Sequence, residues 1–253
     1  KRWNAWGNVY THYPVPLVAL EYLTKRLGQL NPIPDAAKET LLAAVPESRL
    51  SAHPLVDTSV ETRLTHARGQ SMPDWVDMRY GRTNTFPDGV AFPETDEDVR
   101  DLLAYARNAG ARLIPYGGGT SVVGHITPLG SDAPVLTLSL ERMTRLIDLD
   151  ETSRLATFQA GVAGPALEEQ LKARGYTLGH FPQSFEYATL GGWIATRSSG
   201  QQSYHYGRIE SLFAGGTVET PRGRLEIKPV PASAAGPDLR EMLTTWIKAR
   251  RQD

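Results

Sequence analysis

The chain has 253 residues, 40% of them apolar and 22% charged, with 27 Lys and Arg against 28 Asp and Glu for a net charge of −1. That length supports one large or two small domains with real cores, and the balance excludes a disordered tail or a broad attraction to nucleic acid or anionic membrane. The absence of cysteine removes disulfides, thiolate catalysis and Cys-ligated metal sites and fits a reducing cytoplasm, while no apolar run reaches the roughly 18 residues of a membrane span.

The first 80 residues read as a helical arm. "VPLVALEYLTKRLGQ" sets Leu17, Leu20, Leu23 and Leu27 at helical spacing and stops at Gly28. "DAAKETLLAAV" is expected to start on Asp35 as N-cap and to end before Pro46. From Ser48 to Pro73 the pattern fades into polar loop, so a boundary falls near residues 70 to 85. The start, "KRWNAWGNVYTHYP", lacks the apolar segment of a signal peptide, and the last residues, "RRQD", match no short C-terminal address. A soluble, uncleaved protein is the expectation.

Beyond the arm the periods change. "GVAFP" is a short strand. "TDEDVRDLLAYARNAG" opens with a capping box of Thr95 and Asp98, carries Val99, Leu102, Leu103 and Ala106 on one face and closes on Gly110. "ARLIP" is the next strand. Then follow the strands "PVLTLSL", "TRLIDLD" and "LATFQAG", the helix "GPALEEQLKARG" and the hairpin "GTVETPRGRLEI", turning at Pro221, Arg222 and Gly223. The class is α+β, with domains at 1–80 and 81–253.

Directly after "ARLIP" comes "YGGGTSVVGHITP". Three bare residues in a row let the main chain take positive φ and offer N–H donors to phosphate. The spacing is not that of a Walker loop, because His125 and Ile126 follow Gly124 where Lys and Ser or Thr are needed. A Rossmann fingerprint fails as well, since "SVVGHITP" is a poor helix start. A glycine-rich turn with no ligand is the alternative. The second small-residue segment, "HFPQSFEYATLGGWIATRSSGQQSYHYG", shifts the balance. Two such loops could close on one diphosphate from two sides, with Arg197 adding a charge-assisted bond.

The order "PYGGGTSV", "QSFEYATLGGWIATRSSG" and "YGRIESL", together with Trp3, Asn4, Trp6 and Gly7, resembles the FAD-binding domain, of the PCMH type, in the vanillyl-alcohol-oxidase flavoprotein superfamily. Within it the chain is most similar to the alkylglycerone-phosphate synthase (alkyl-dihydroxyacetone-phosphate synthase) branch and its bacterial FAD-linked oxidase relatives. The resemblance runs from Trp3 to about Met242. It implies a two-subdomain FAD-binding fold behind the arm, in which Pro115, Tyr116, Gly117, Gly118, Gly119, Thr120, Ser121 and Val122 wrap the FAD diphosphate. Gln183, Ser184, Phe185, Glu186, Tyr187, Ala188 and Thr189, with Thr196, Arg197, Ser198 and Ser199, would hold its other side and the inner part of the cofactor. Superfamily members that tether flavin commonly place a histidine after two glycines; here Gly119 stands there, which implies noncovalent FAD.

The implied parent enzyme exchanges the acyl chain of acyl-dihydroxyacetone phosphate for a fatty alcohol, or oxidises a small 2-hydroxy acid such as D-lactate or glycolate. A non-catalytic flavin-binding remnant is the reading from another class. The partners implied are a small-molecule or lipid substrate and no nucleic acid, with a homodimer left open. After "GPDLREM" the family continues into a third cofactor loop and a substrate cap, whereas this sequence reads "LTTWIKARRQD" and stops. The expectation is therefore an incomplete chain that is inactive by itself, with no catalytic residue assignable. The six histidines show no metal-ligand spacing, Ser121 lacks a G-x-S-x-G elbow, and Trp3 and Trp6 are expected to pack the arm onto the main domain. Asp96, Glu97 and Asp98 read as charges at a helix N-terminus.

Overall fold

In the computed structural model, residues 2–10, 14–29 and 34–228 are described. The sequence break after Met242 lies outside them. The arm contains α1 (Leu17–Leu27) and α2 (Lys38–Ala44), followed by β1 (Val56–Asp57), α3 (Val60–Thr65) and α4 (Met72–Arg79). α1 ends at Gly28 with φ 80°, as its sequence predicts, but it buries no residue. Asp35 is not the cap of α2. Ala37 holds that place without a side-chain bond, because the Asp35 carboxylate is engaged elsewhere: it accepts from Asn4 Nδ2 at 2.8 Å and pairs with Arg79 at 3.2 Å.

The stretch expected as polar loop between Ser48 and Pro73 is instead structured. Ser59 caps α3, and Ser71 with Asp74 forms a full capping box on α4. Such helices of six and eight residues are too short to show a clear period, so their caps carry the signal.

β2 (Gly89–Ala91), α5 (Asp96–Asn108), β3 (Arg112–Tyr116) and β4 (Val135–Ser139) make the first subdomain. The sheet order is β1-β2-β4-β3, with β4 parallel to both neighbours and β1 antiparallel on the edge of β2. The Thr95–Asp98 capping box is present. Leu102 and Ala106 of α5 pack with Ala91, Leu136 and Leu138 into one core. At the start of the strands the buried Asp88 carboxylate accepts from Arg49 Nη2 and from Val135 N, each at 2.7 Å. This pins the arm, β2 and β4 together.

The second subdomain holds β5 (Leu146–Asp150) paired with β6 (Leu155–Phe158), α6 (Gly164–Lys172), α7 (Leu190–Thr196), α8 (Ser203–Tyr206) and α9 (Ile209–Leu212). Its separate core is built on Val162, Leu167, Leu171, Trp193 and Ile209. The hairpin of β7 (Gly216–Thr220) and β8 (Gly223–Ile227) turns at Pro221 and Arg222, as predicted. It is tied to α5 through Arg100 and Glu219 at 2.8 Å. The mixed helix and sheet architecture, with one core in each subdomain and a third around Leu41, Val45 and Leu64 of the arm, agrees with the α+β, two-subdomain expectation.

Candidate functional site

The glycine loop leaves β3 at Tyr116, at the carboxyl end of the parallel strands, where open α/β sheets commonly bind ligands. Its shape is set by backbone contact. A Cβ on Gly118 would overlap the Tyr187 carbonyl, and one on Gly117 would overlap Thr189 Oγ1. The structure thus brings residues 115–122 and 187–189 into direct contact, subdomain against subdomain. Gly119 alone of the three has positive φ, 72°. Bare backbone at Gly117 and Gly118 is therefore required by the facing loop, a reason that the sequence could not display.

The other side of the loop is fixed by the arm. Gln70 N donates to the Ser121 carbonyl at 2.6 Å, and a Cβ on Gly69 would come within 2.5 Å of the same oxygen. Trp6 meets Tyr187 edge-on with ring centroids 5.2 Å apart. Ala5, Trp6, Gly7, Gln70, Gly118, Thr120 and Tyr187 line a small open cleft there. The sequence reading assigned Trp6 to packing and overlooked Gln70. Nothing local marked either, since both reach the loop only through the tertiary fold.

Among the described residues, the backbone N–H groups of Gly118, Gly119, Thr120, Ser121 and Val122 donate no hydrogen bond. Buried backbone donors are rarely left this way unless water or a ligand takes them, and of these five residues Gly119 is buried and Val122 exposed. A held loop with a row of open N–H groups is what an oxyanion such as a diphosphate needs, so the residues present fit that group. The loop also carries a Ser121 Oγ to His125 Nδ1 contact of 3.2 Å, which is exposed.

The second segment differs. Residues 183–187 form a turn in which Tyr187 N and Ala188 N donate to the Ser184 carbonyl. Gln183 and Glu186 are exposed. Phe185 packs inward, stacked on Trp193 at 6.3 Å and against Phe181 at 5.0 Å, with Gly164 bare to admit its ring. Thr189 then caps α7 through Gly192 N at 3.3 Å. Seven residues of helix put Thr196 and the following turn roughly 10 Å from Thr189. Thr196 Oγ1 donates back to the Gly192 carbonyl at 2.8 Å. Arg197 ends the helix at φ 53°, left-handed without being glycine, and its exposed guanidinium lies 3.4 Å from Glu210. Ser198 is half-buried and Ser199 exposed.

Behind this turn lies His180, buried to 1% exposure. Its Nε2 is 2.7 Å from Ser198 Oγ, and its ring meets Trp193 edge-on at 5.1 Å. Burial pulls its pKa below the ordinary imidazole value, against a smaller opposing pull from Glu210. Among the described residues no three His, Asp or Glu side chains gather as a metal site, and no helix is long and apolar enough to cross a membrane.

A family model described as FAD binding domain matches residues 87–227. The chain is 39% identical to the alkyldihydroxyacetonephosphate synthase of Dictyostelium discoideum over 69% of its own length and 28% of the relative's. With the enzyme of that name from Trypanosoma brucei brucei it shares 34% identity over 90% of its length and 36% of the relative's. A solved alkyldihydroxyacetonephosphate synthase superposes with a TM-score of 0.82 at 30% identity, over 95% of this chain and 49% of that one. The chain thus spans about a third of these curated relatives and about half of the solved chain.

Proposed function

This chain belongs to the FAD binding domain family, and from that premise we propose that residues 115–122, 183–189 and 196–199 hold FAD without a covalent bond. FAD is its cofactor. The observation that carries the assignment of residues is the row of open N–H groups from Gly118 to Val122 on a loop clamped between Tyr187 and Gln70. Oxygens of the diphosphate would accept from that row. Thr196, Arg197 and Ser198, at the far end of α7, would contact the next part of the cofactor. Gly119 at the position of a tethering histidine supports dissociable flavin.

When bound, FAD supplies the electronic chemistry, and the protein supplies position. The contribution of this chain is to bind and orient: the interlocked loops hold the donors before the cofactor arrives, so little ordering is needed on binding. The similarity to alkyldihydroxyacetonephosphate synthases supports a parent activity in which the acyl chain of acyl-dihydroxyacetone phosphate is exchanged for a fatty alcohol. The substrate would then be a lipid, and the arm of residues 1–80 would precede an FAD-binding unit at 81–253. A cytoplasmic location is compatible with the absence of cysteine.

The test is flavin titration of the purified chain followed by acid precipitation. Saturable quenching of flavin fluorescence is expected, with all the yellow chromophore in the acid supernatant. No saturable binding, or flavin retained in the washed pellet, would overturn the reading.

A further inference from the structure

His180 has no place in the site as read from sequence, yet it is the side chain that bonds the Ser198 hydroxyl. Its Nε2 makes the one hydrogen bond of the Ser198 hydroxyl among the described residues, at 2.7 Å. Its Nδ1 is buried and has no partner, and Trp193 Nε1, in the ring against it, is also buried and unpaired. These facts choose a tautomer. A proton on Nδ1 would leave a second N–H donor orphaned beside the Trp193 N–H, and orphaned donors are the costlier kind. With the proton on Nε2, only a lone pair goes unmatched at Nδ1, the less costly kind of orphan.

The consequence falls on Ser198. A hydroxyl has one proton and can accept as well as donate. If Nε2–H donates to Ser198 Oγ, one lone pair of the serine is occupied, its proton cannot point back at the imidazole, and that proton has no partner among the described residues. We propose that His180 is a positioning residue that, as the Nε2–H tautomer, turns the Ser198 hydroxyl into an obligate outward donor to an anionic oxygen of the cofactor. This rests on the reading of Ser198 as an FAD contact. His180 touches no cofactor atom in this scheme. It sets the direction of one hydrogen bond, and it also braces the turn after α7, where Arg197 is left-handed.

The experiment combines four variants of the chain with FAD titration. Ser198→Ala should weaken FAD about tenfold, the scale of one hydrogen bond to a charged group. His180→Leu, which fills the space without a donor, should weaken it by a similar factor. The double variant should be no worse than either single change. His180→Gln, which retains an N–H near the Nε2 position, should bind within twofold of the unaltered chain. Imidazole 15N NMR of the unaltered chain at neutral pH should show Nε2 protonated and Nδ1 bare. If Ser198→Ala weakens FAD and folded His180→Leu does not, the role of His180 is refuted while the cofactor reading stands. If Ser198→Ala changes nothing, Ser198 is no contact and both fall at that residue. Should His180→Leu fail to fold, the NMR decides: a proton on Nδ1 overturns the proposal.

Discussion

The two candidate cofactor loops offer donors by opposite means. Around Gly118 the donors are backbone N–H groups left open, and side chains are missing because the facing backbone fills their space. Around α7 most backbone N–H groups are already bonded, from Leu190 N to the Val162 carbonyl through Ser198 N to the Trp193 carbonyl. What that loop still offers is side chains. A backbone site cannot be trimmed one group at a time, whereas a side-chain site can. Substitutions in the first loop should therefore act through the shape of the loop as a whole, and those in the second through single contacts.

The largest effect is expected from Gly118→Val. A side chain there meets the Tyr187 carbonyl, and overpacking of that kind costs roughly 1–3 kcal/mol or more, so FAD affinity should fall about a hundredfold in titration. Gly130→Ala is the control, with only Thr85 Cγ2 at 3.9 Å, and should be silent. Gly119→Ala comes next. Its φ of 72° penalises any Cβ by about 1–2 kcal/mol, so about a tenfold loss is expected by the same titration. A loss at Gly119 larger than at Gly118 would show that conformation rather than loop contact sets the site.

The two regions should also part under acid. Asp88 is buried, which opposes its charge, but the bonds from Arg49 and Val135 N outweigh that and hold its pKa below the usual carboxylate value. Stability from this group is complete above pH of about 4 and is lost as pH falls through the lowered native value. His180 is depressed too, by burial. The native state favours its neutral form, so stability is complete above about 6.5 and declines as pH falls below that toward the native value. Hydrogen exchange should therefore show α7 and its flanks beginning to loosen as pH falls below about 6.5, with the β2-β4-β3 sheet protected until below about 4. Simultaneous loss in both regions would contradict this division.

The smallest effect is expected at Arg197. Its ion pair with Glu210 is exposed and long at 3.4 Å, and such pairs contribute about 0–1 kcal/mol. Arg197→Ala should leave the melting temperature within a few degrees, and its effect on FAD reports directly whether the guanidinium reaches the cofactor. A tenfold loss would place it on phosphate. A change of less than twofold would confine it to the surface.

Much of this was legible in the chain. The box of Thr95 and Asp98, the strands around β4 and the turn at Pro221 are local patterns, and local chemistry specifies them. Both small-residue loops stood out for the same reason. α7 was hidden because Gly191 and Gly192 read as loop; what makes it helical is the Thr189 cap and the burial of Trp193 to 2% exposure. Asp35 offered a plausible cap, and a competing Asn4 and Arg79 took it. The contact of Gly118 with Tyr187, of Gln70 with Ser121 and of His180 with Ser198 joins residues that are far from neighbours in sequence, and no period or cap encodes such meetings.

The two-residue β1 has a practical meaning out of proportion to its length. By pairing Val56 with Ala91 and Asp57 with Val90, it covers the outer rim of β2, all three of whose residues are buried. A fragment started at residue 81 would strip away this cover together with the Arg49 clamp on Asp88. It would present bare peptide groups ready to recruit another copy, the usual route by which trimmed sheets aggregate. A well-behaved shorter piece must begin before Arg49. The arm is thus a guard against self-association as well as a support for the loop.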